Sequence, residues 1–346
     1  MDGPETLADR GEAALIDAMV ARLPAPPAGA LGIGDDAALI PWPSAGMGAA
    51  RNAGDLITAV DLLIEGVHFR RATASARDVG WKALAVNLSD LAAMGCEPRG
   101  ALVGLAAPGD LPAAWVEALY DGLGAHGLFV AGGDTTGSPG PIMIAVTVFG
   151  TPGPSGRVLT RDQARPGDVL FVTGTPGRAA AGLACLEDPA LAPPGRAALV
   201  AAQRAPVPQL ATGRAIAALD LRVALMDDSD GLGRSAQLLA AASGVRITLD
   251  ATLIPLEPGV AWVAAARGQA PLAFALAGGE DYHLVGTCAR ADWPALAAAV
   301  PEAWIGGLVE AGAPGAWLDR GHGPPEALAG EMGHAHFART SFPPRC

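Results

Sequence analysis

An α+β fold in two domains is what this sequence predicts, and three observations lead there. The chain has 346 residues, enough for two units of ordinary size that each bury a core. Strand-like and helix-like segments alternate without a regular βαβ rhythm. A turn-rich bridge, TPGPSGRVLTRDQARPGD at 151–168, separates two such series, so the expected division is 1–155 and 156–346.

Near the N-terminus, Leu15, Ile16, Met19, Val20 and Leu23 follow helical spacing. The Pro-rich link LPAPPAGA leads into GIGDDAAL, and DLITAV reads as a short strand ending at Asp61. In ASARDVGWKALAVNLSDLAAMG, the residues Trp81, Leu84, Ala85, Leu88 and Leu91 lie near the helical period and predict a long amphipathic helix. The strand ALVGLAAP, a helix over 111–126, and the strands LFVAGGDTT and PIMIAVTVFG complete this half. After the bridge come the strand VLFVTG, Ala-rich helices over 177–220, the strand VALMD, a helix from Leu232 and the strand RITLD. The piece AFALAGGEDYHLVGTC reads as one more strand running into Gly-Gly-acid.

Composition narrows the function. A net charge of -12 argues against nonspecific binding to nucleic acid or anionic membranes, which depends on basic patches. No apolar run approaches the roughly 18 to 20 residues of a membrane span, and the acidic, amphipathic start is unlike a secretory signal; a cytoplasmic location is expected. Cys96, Cys185, Cys288 and Cys346 are too scattered for a zinc knuckle or a redox pair. The sequence contains no GxxxxGK[ST], which excludes a P-loop nucleotide enzyme. Among 23 basic residues only Lys82 is a lysine.

Carboxylates recur where apolar runs or glycine pairs end: Asp35 and Asp36, Asp61, Asp134, the cluster Asp227, Asp228 and Asp230, and Glu280 with Asp281. Asp90 adds one from a helix. Taken singly, each fits a turn or a helix cap. Together they fit hard divalent cations, because Mg²⁺ takes oxygen ligands and is held by one or two carboxylates per ion with water and substrate phosphates. The glycines before Asp134 and Glu280 let backbone approach a bound phosphate or base closely.

In order and spacing, the segments GIGDDAAL, DLLIEGVHF, WKALAVNLSDLAAMG, GGDTT, LTRDQARPGD, DDSDGL and GGEDY closely resemble bacterial thiamine-monophosphate kinase, of the superfamily that includes aminoimidazole ribonucleotide synthetase. The match covers about 31–337. The resemblance implies an N-terminal mixed sheet used for dimerisation, a C-terminal α/β sandwich, and a homodimer. It implies ATP-dependent phosphorylation of thiamine monophosphate with several Mg²⁺ ions. Matched position by position, it implies Asp36, Asp61, Asp90, Asp134, Asp227 and Asp230 as metal ligands. ATP contacts are implied at Gly133, Arg161 and Ser229, and substrate contacts at His68 and Glu280.

Departures from that pattern fall on named positions. Ala59 and Val60 stand where the family has Ser-Thr, Asp228 where it has an apolar residue, and His283 where it has an acid. His334 replaces an aromatic before x-H-F, at a place where that aromatic would pack on the substrate rings. Asp228 therefore reads as structural. Two alternatives remain at this point: another ATP-dependent enzyme of the superfamily, acting on a purine precursor or selenide, or a non-catalytic Mg-nucleotide scaffold.

Overall fold

The computed structural model describes residues 12–20, 28–41 and 55–328. Helix α1 (Glu12–Val20) matches the N-terminal spacing, whereas Leu23 and His334 lie outside the described residues. The strands β1 (Ala38–Ile40), β2 (Leu56–Ile64), β3 (Cys96–Ala107), β4 (Val130–Gly137) and β5 (Met143–Pro152) form one sheet in the order β1-β2-β5-β3-β4. Its pairs are antiparallel except β3 with β4. Alternation sets the two faces: Ile144, Val146, Val148, Val103 and Leu105 are buried, while Val60, Leu62, Leu102 and Met143 are exposed on the other side.

Helix α2 (Ala76–Ala93) packs on the buried face, with α3 (Ala113–Gly124) beyond it. Its start is fixed by a capping box, in which Ser75 accepts from the Asp78 N–H and Asp78 accepts from the Ser75 N–H. The expected amphipathic helix is instead buried almost all round, with Ala83, Leu84, Leu91, Ala92 and Ala93 fully covered. The reason is composition: beyond the Leu stripe the remaining faces carry mostly Ala, Val, Asn and Ser, Lys82 is buried among them, and Ala92 and Ala93 join a core of the second half.

That second half contains β6 (Asp168–Val172), β7 (Val223–Asp227), β8 (Arg246–Asp250), β9 (Leu284–Ala289), β10 (Trp304–Glu310), β11 (Gly315–Asp319) and β12 (Glu326–Ala327). They form a sheet in the order β12-β11-β8-β10-β6-β9-β7, antiparallel except β11 with β8. Helices α4 (Arg178–Glu187), α5 (Arg196–Arg204), α6 (Leu210–Ala218), α7 (Leu232–Ser243), α8 (Pro258–Ala266), α9 (Pro271–Ala277) and α10 (Trp293–Ala299) accompany it.

Two strand expectations need correction. β2 runs on to Ile64, so Asp61 sits inside the strand rather than at its end. The AFALA run is helical: Pro271 occupies the first turn of α9, where its missing N–H is harmless, and Ala and Leu favour the helix. The strand comes after the Gly-Gly-acid, at β9. Among the described residues no single helix is long and apolar enough to cross a membrane.

Candidate active site

Acidic side chains from four parts of the chain converge where the two sheets meet. Asp227 ends β7, Asp90 lies in the last turns of α2, and Asp36 precedes β1; ligand oxygens of these three lie within 4.8 Å of one another. The Asp227 N–H donates to Asp36 Oδ1 at 3.4 Å. Asp61 extends the group from β2, its N–H donating at 3.0 Å to Asn87 Oδ1, while Asn87 Nδ2 donates to the Ala83 carbonyl. Asp230 follows β7, close enough to Asp61 to raise that carboxyl after burial has done so first. Burial, then Asp61, Asp227 and Asp36, holds Asp90 well above the usual carboxylate range, and burial followed by Asp36 does the same to Asp227. Such a set opposes its own ionisation unless cations join it.

Arg161 is one such cation. The 159–163 segment docks on β7 through the Leu225 N–H to the Thr160 carbonyl at 3.0 Å. This brings the Arg161 guanidinium onto both oxygens of Asp36, at 3.0 and 2.7 Å, while its N–H donates to Asp35 at 3.0 Å. Burial opposes the Arg161 charge, but Asp36 and Asp35 outweigh it and hold the group protonated. One guanidinium does not balance five carboxylates. The oxygen-only, desolvated donor set fits Mg²⁺.

A cavity of about 520 Å³ opens from this group, within the range of small-molecule sites. Asp61, Asp90, Asp227, Ser229, Asp230, His68 and Glu280 are among the residues that line it. His68 accepts the Ile64 N–H on Nδ1 at 3.0 Å, which leaves the ring proton on Nε2. The glycine pair before Glu280 serves the chain itself: a Cβ on Gly279, at φ +64°, would meet the Ser229 carbonyl oxygen at 2.8 Å. Likewise a Cβ on Gly133 would meet the Val103 oxygen at 1.8 Å. At both positions the missing side chain is what lets one backbone segment pass close to another.

Asp134 and Gly133 do not line this cavity, although Gly133 shares the cross-strand row of Asp61 through Val103 and Val146. Asp134 shares a cross-strand row with Gly104, Ala145 and Leu62, whereas Asp61 shares the neighbouring row with Val146 and Val103. Successive rows point to opposite faces, so Asp134 lies on the exposed face and Asp61 on the buried one. Asp228 is fully buried, accepts the Ser235 hydroxyl at 2.8 Å and is pushed up to about 8 by burial and then Asp281; its wiring to α7 agrees with a structural reading.

Sequence reasoning missed the partners of Glu280. Lys82 Nζ and Gln203 Nε2 each donate to one of its oxygens at 2.6 Å. The rarity of lysine marked Lys82; nothing in the sequence marked Gln203.

Comparison with known proteins places this architecture. Residues 34–151 match the family model described as AIR synthase related protein, N-terminal domain. The thiamine-monophosphate kinase of Bacillus subtilis (strain 168) is 34% identical over 273 residues, covering 77% of this chain and 80% of that protein. That of Escherichia coli (strain K12) is 38% identical over 260 residues, 73% and 75% of the two chains. The solved structure of AaThiL complexed with AMPPCP and TMP superposes with a TM-score of 0.79 at 32% identity, covering 94% of this chain and 99% of that one. HypE in complex with ATP, at 18% identity and a TM-score of 0.68, shares the fold. With identities above 30% sustained across most of both chains, the chain belongs to the thiamine-monophosphate kinase family.

Proposed function

We propose that this enzyme transfers the γ-phosphoryl group of ATP directly to the phosphate of thiamine monophosphate, giving thiamine diphosphate. The observation that carries the reading is the convergence of Asp36, Asp61, Asp90, Asp227 and Asp230 beside one cavity. Family membership and the similarity to AaThiL complexed with AMPPCP and TMP support the choice of both substrates.

The acceptor is a phosphate monoester with a second pKa of about 6, already largely dianionic at neutral pH. No general base is needed, and no covalent phospho-enzyme is invoked. The obstacle is repulsion between two polyanions. Asp36, Asp61, Asp90, Asp227 and Asp230 would hold several Mg²⁺ ions; the motif resemblance alone adds Asp134, whose side chain lies on the other face of the sheet. Bound there, Mg²⁺ neutralises phosphate charge and orients the transferring group. Arg161, with its rigid donor fork suited to phosphate, Ser229 and Gly133 contact ATP. His68, Glu280 and His334 bind the acceptor.

A homodimer paired through the N-terminal sheet is part of this reading. Its support is the row of exposed apolar residues Val60, Leu62, Leu102 and Met143 on the face away from α2, a patch of the kind that marks an interface. Residues 1–155 then form the metal, nucleotide and dimerisation domain, and 156–346 complete the active site. A cytoplasmic location accords with the buried free thiols of Cys96, Cys185 and Cys288.

An acceptor panel tests the proposal. ADP release with thiamine monophosphate, and none with free thiamine, a purine precursor or selenide, is the expected outcome. Turnover only with a purine precursor or selenide would move the chain to another activity of the superfamily, and ATP binding without ADP release would make it a scaffold.

A further inference from the structure

Lys82 is the one lysine of the chain, it is 5% exposed, and it lines the cavity from α2. It and Gln203 of α5 divide the Glu280 carboxylate between them, Nζ on Oε1 and Nε2 on Oε2, both at 2.6 Å. Gln203 Oε1 is buried without a partner, so donation to Glu280 is what sets the orientation of that amide. Glu280 is also held through its backbone. It adopts φ 62° and donates its N–H to the Ser229 carbonyl at 2.6 Å; Glu280 and Tyr282 are the non-glycine residues with positive φ among those described. Backbone of this kind is strained for a non-glycine residue and persists where its surroundings over-determine it.

We infer that Lys82 and Gln203 are positioning residues that fix the Glu280 carboxylate plane for the acceptor substrate, an inference that rests on the kinase reading above. Each carboxylate oxygen has two lone pairs. The two donors take one apiece and leave one per oxygen for the cavity. An acceptor carrying an exocyclic amine and a cationic ring, as thiamine monophosphate does, can meet both. Lysine suits this division because it is a point donor. An arginine fork takes both oxygens of a carboxylate at once and would evict Gln203, which accounts for a lysine in a chain whose other basic side chains are arginines.

The test is steady-state kinetics and calorimetric binding of thiamine monophosphate for wild type, Lys82→Met, Lys82→Arg, Gln203→Leu, Glu280→Gln and the double variants. Each of Lys82→Met, Lys82→Arg and Gln203→Leu is expected to raise KM and Kd for the acceptor by about tenfold or more, the effect of one charge-assisted hydrogen bond, with KM for ATP unchanged. Added to Glu280→Gln, Lys82→Met is expected to change nothing further, because it acts through that carboxylate. A rise in KM for ATP instead, full additivity with Glu280→Gln, or an unchanged acceptor KM overturns the inference. If Lys82→Met does not fold, Gln203→Leu carries the same comparison. Wild-type protein that neither binds nor phosphorylates thiamine monophosphate overturns the kinase reading and the inference with it; active wild type with unaffected variants overturns the inference alone.

Discussion

Asp227 and Asp228 adjoin in sequence and face different surroundings. The Asp227 carboxyl points into the acidic group with Asp36 and Asp90, while Asp228 is bonded to Ser235 inside the protein. With its carboxyl pushed up to about 8, Asp228 is largely protonated at neutral pH, and Asn is close to it in size and hydrogen bonding. Asp228→Asn is therefore expected to keep turnover within about twofold and stability within about 1 kcal/mol, checked by ADP release and thermal melting. Asp230→Asn is expected to fold normally and lose turnover, since it removes a metal-binding charge rather than core packing. Wild-type rates in Asp230→Asn would remove that residue from the metal set. The difference between these acids was legible because the resembling motif has an apolar residue at position 228. The Lys82, Gln203 and Glu280 arrangement was not, because its members lie far apart in sequence and meet only through the packing of α2 and α5 against the 278–283 loop.

The elements were legible where periodicity or turn chemistry is strong. α2 followed from its Leu spacing and β7 from an unbroken apolar run that proves fully buried. Periodicity alone did not separate a short buried helix from a strand at Pro271–Ala277, and it did not show that the ends of α2 are covered by the second half. Because α2 carries Lys82, Asn87 and Asp90, its N-terminal cap matters to the site. Ser75→Ala removes one half of the capping box and is expected to lower stability by about 1 kcal/mol, with little effect on the KM for either substrate. Urea unfolding read by circular dichroism measures the first, and an unchanged midpoint would show that tertiary packing alone fixes the start of the helix.

For the whole molecule, the buried acids link folding to pH and to cations. Burial, as the largest cause, raises Asp35 to about 7, Asp228 to about 8 and Asp281 to about 6. A carboxyl raised on folding holds protons that the unfolded chain has released, so it contributes stability that is lost as pH rises through its folded value. The metal-free protein is therefore expected to melt at lower temperature at pH 8 than at pH 6.5. His283, lowered by burial to about 4, works in the opposite direction only below its ordinary 6.5. Mg²⁺ favours the ionised acids, so it should raise the melting temperature more at pH 8 than at pH 6.5, and equal shifts would speak against binding at these carboxylates. The two-sheet α+β architecture and the gathering of five of the six expected acids, Asp36, Asp61, Asp90, Asp227 and Asp230, were readable from motif order. The position of Asp134 was not, because which face of β4 it occupies depends on register with β3. The most direct test of the central claim is ADP release with thiamine monophosphate across a Mg²⁺ titration, in wild type and in Asp90→Asn. The account predicts saturable, Mg²⁺-dependent formation of thiamine diphosphate in wild type and a large loss in Asp90→Asn; turnover without any divalent cation, or an Asp90→Asn titration curve equal to wild type, would contradict it.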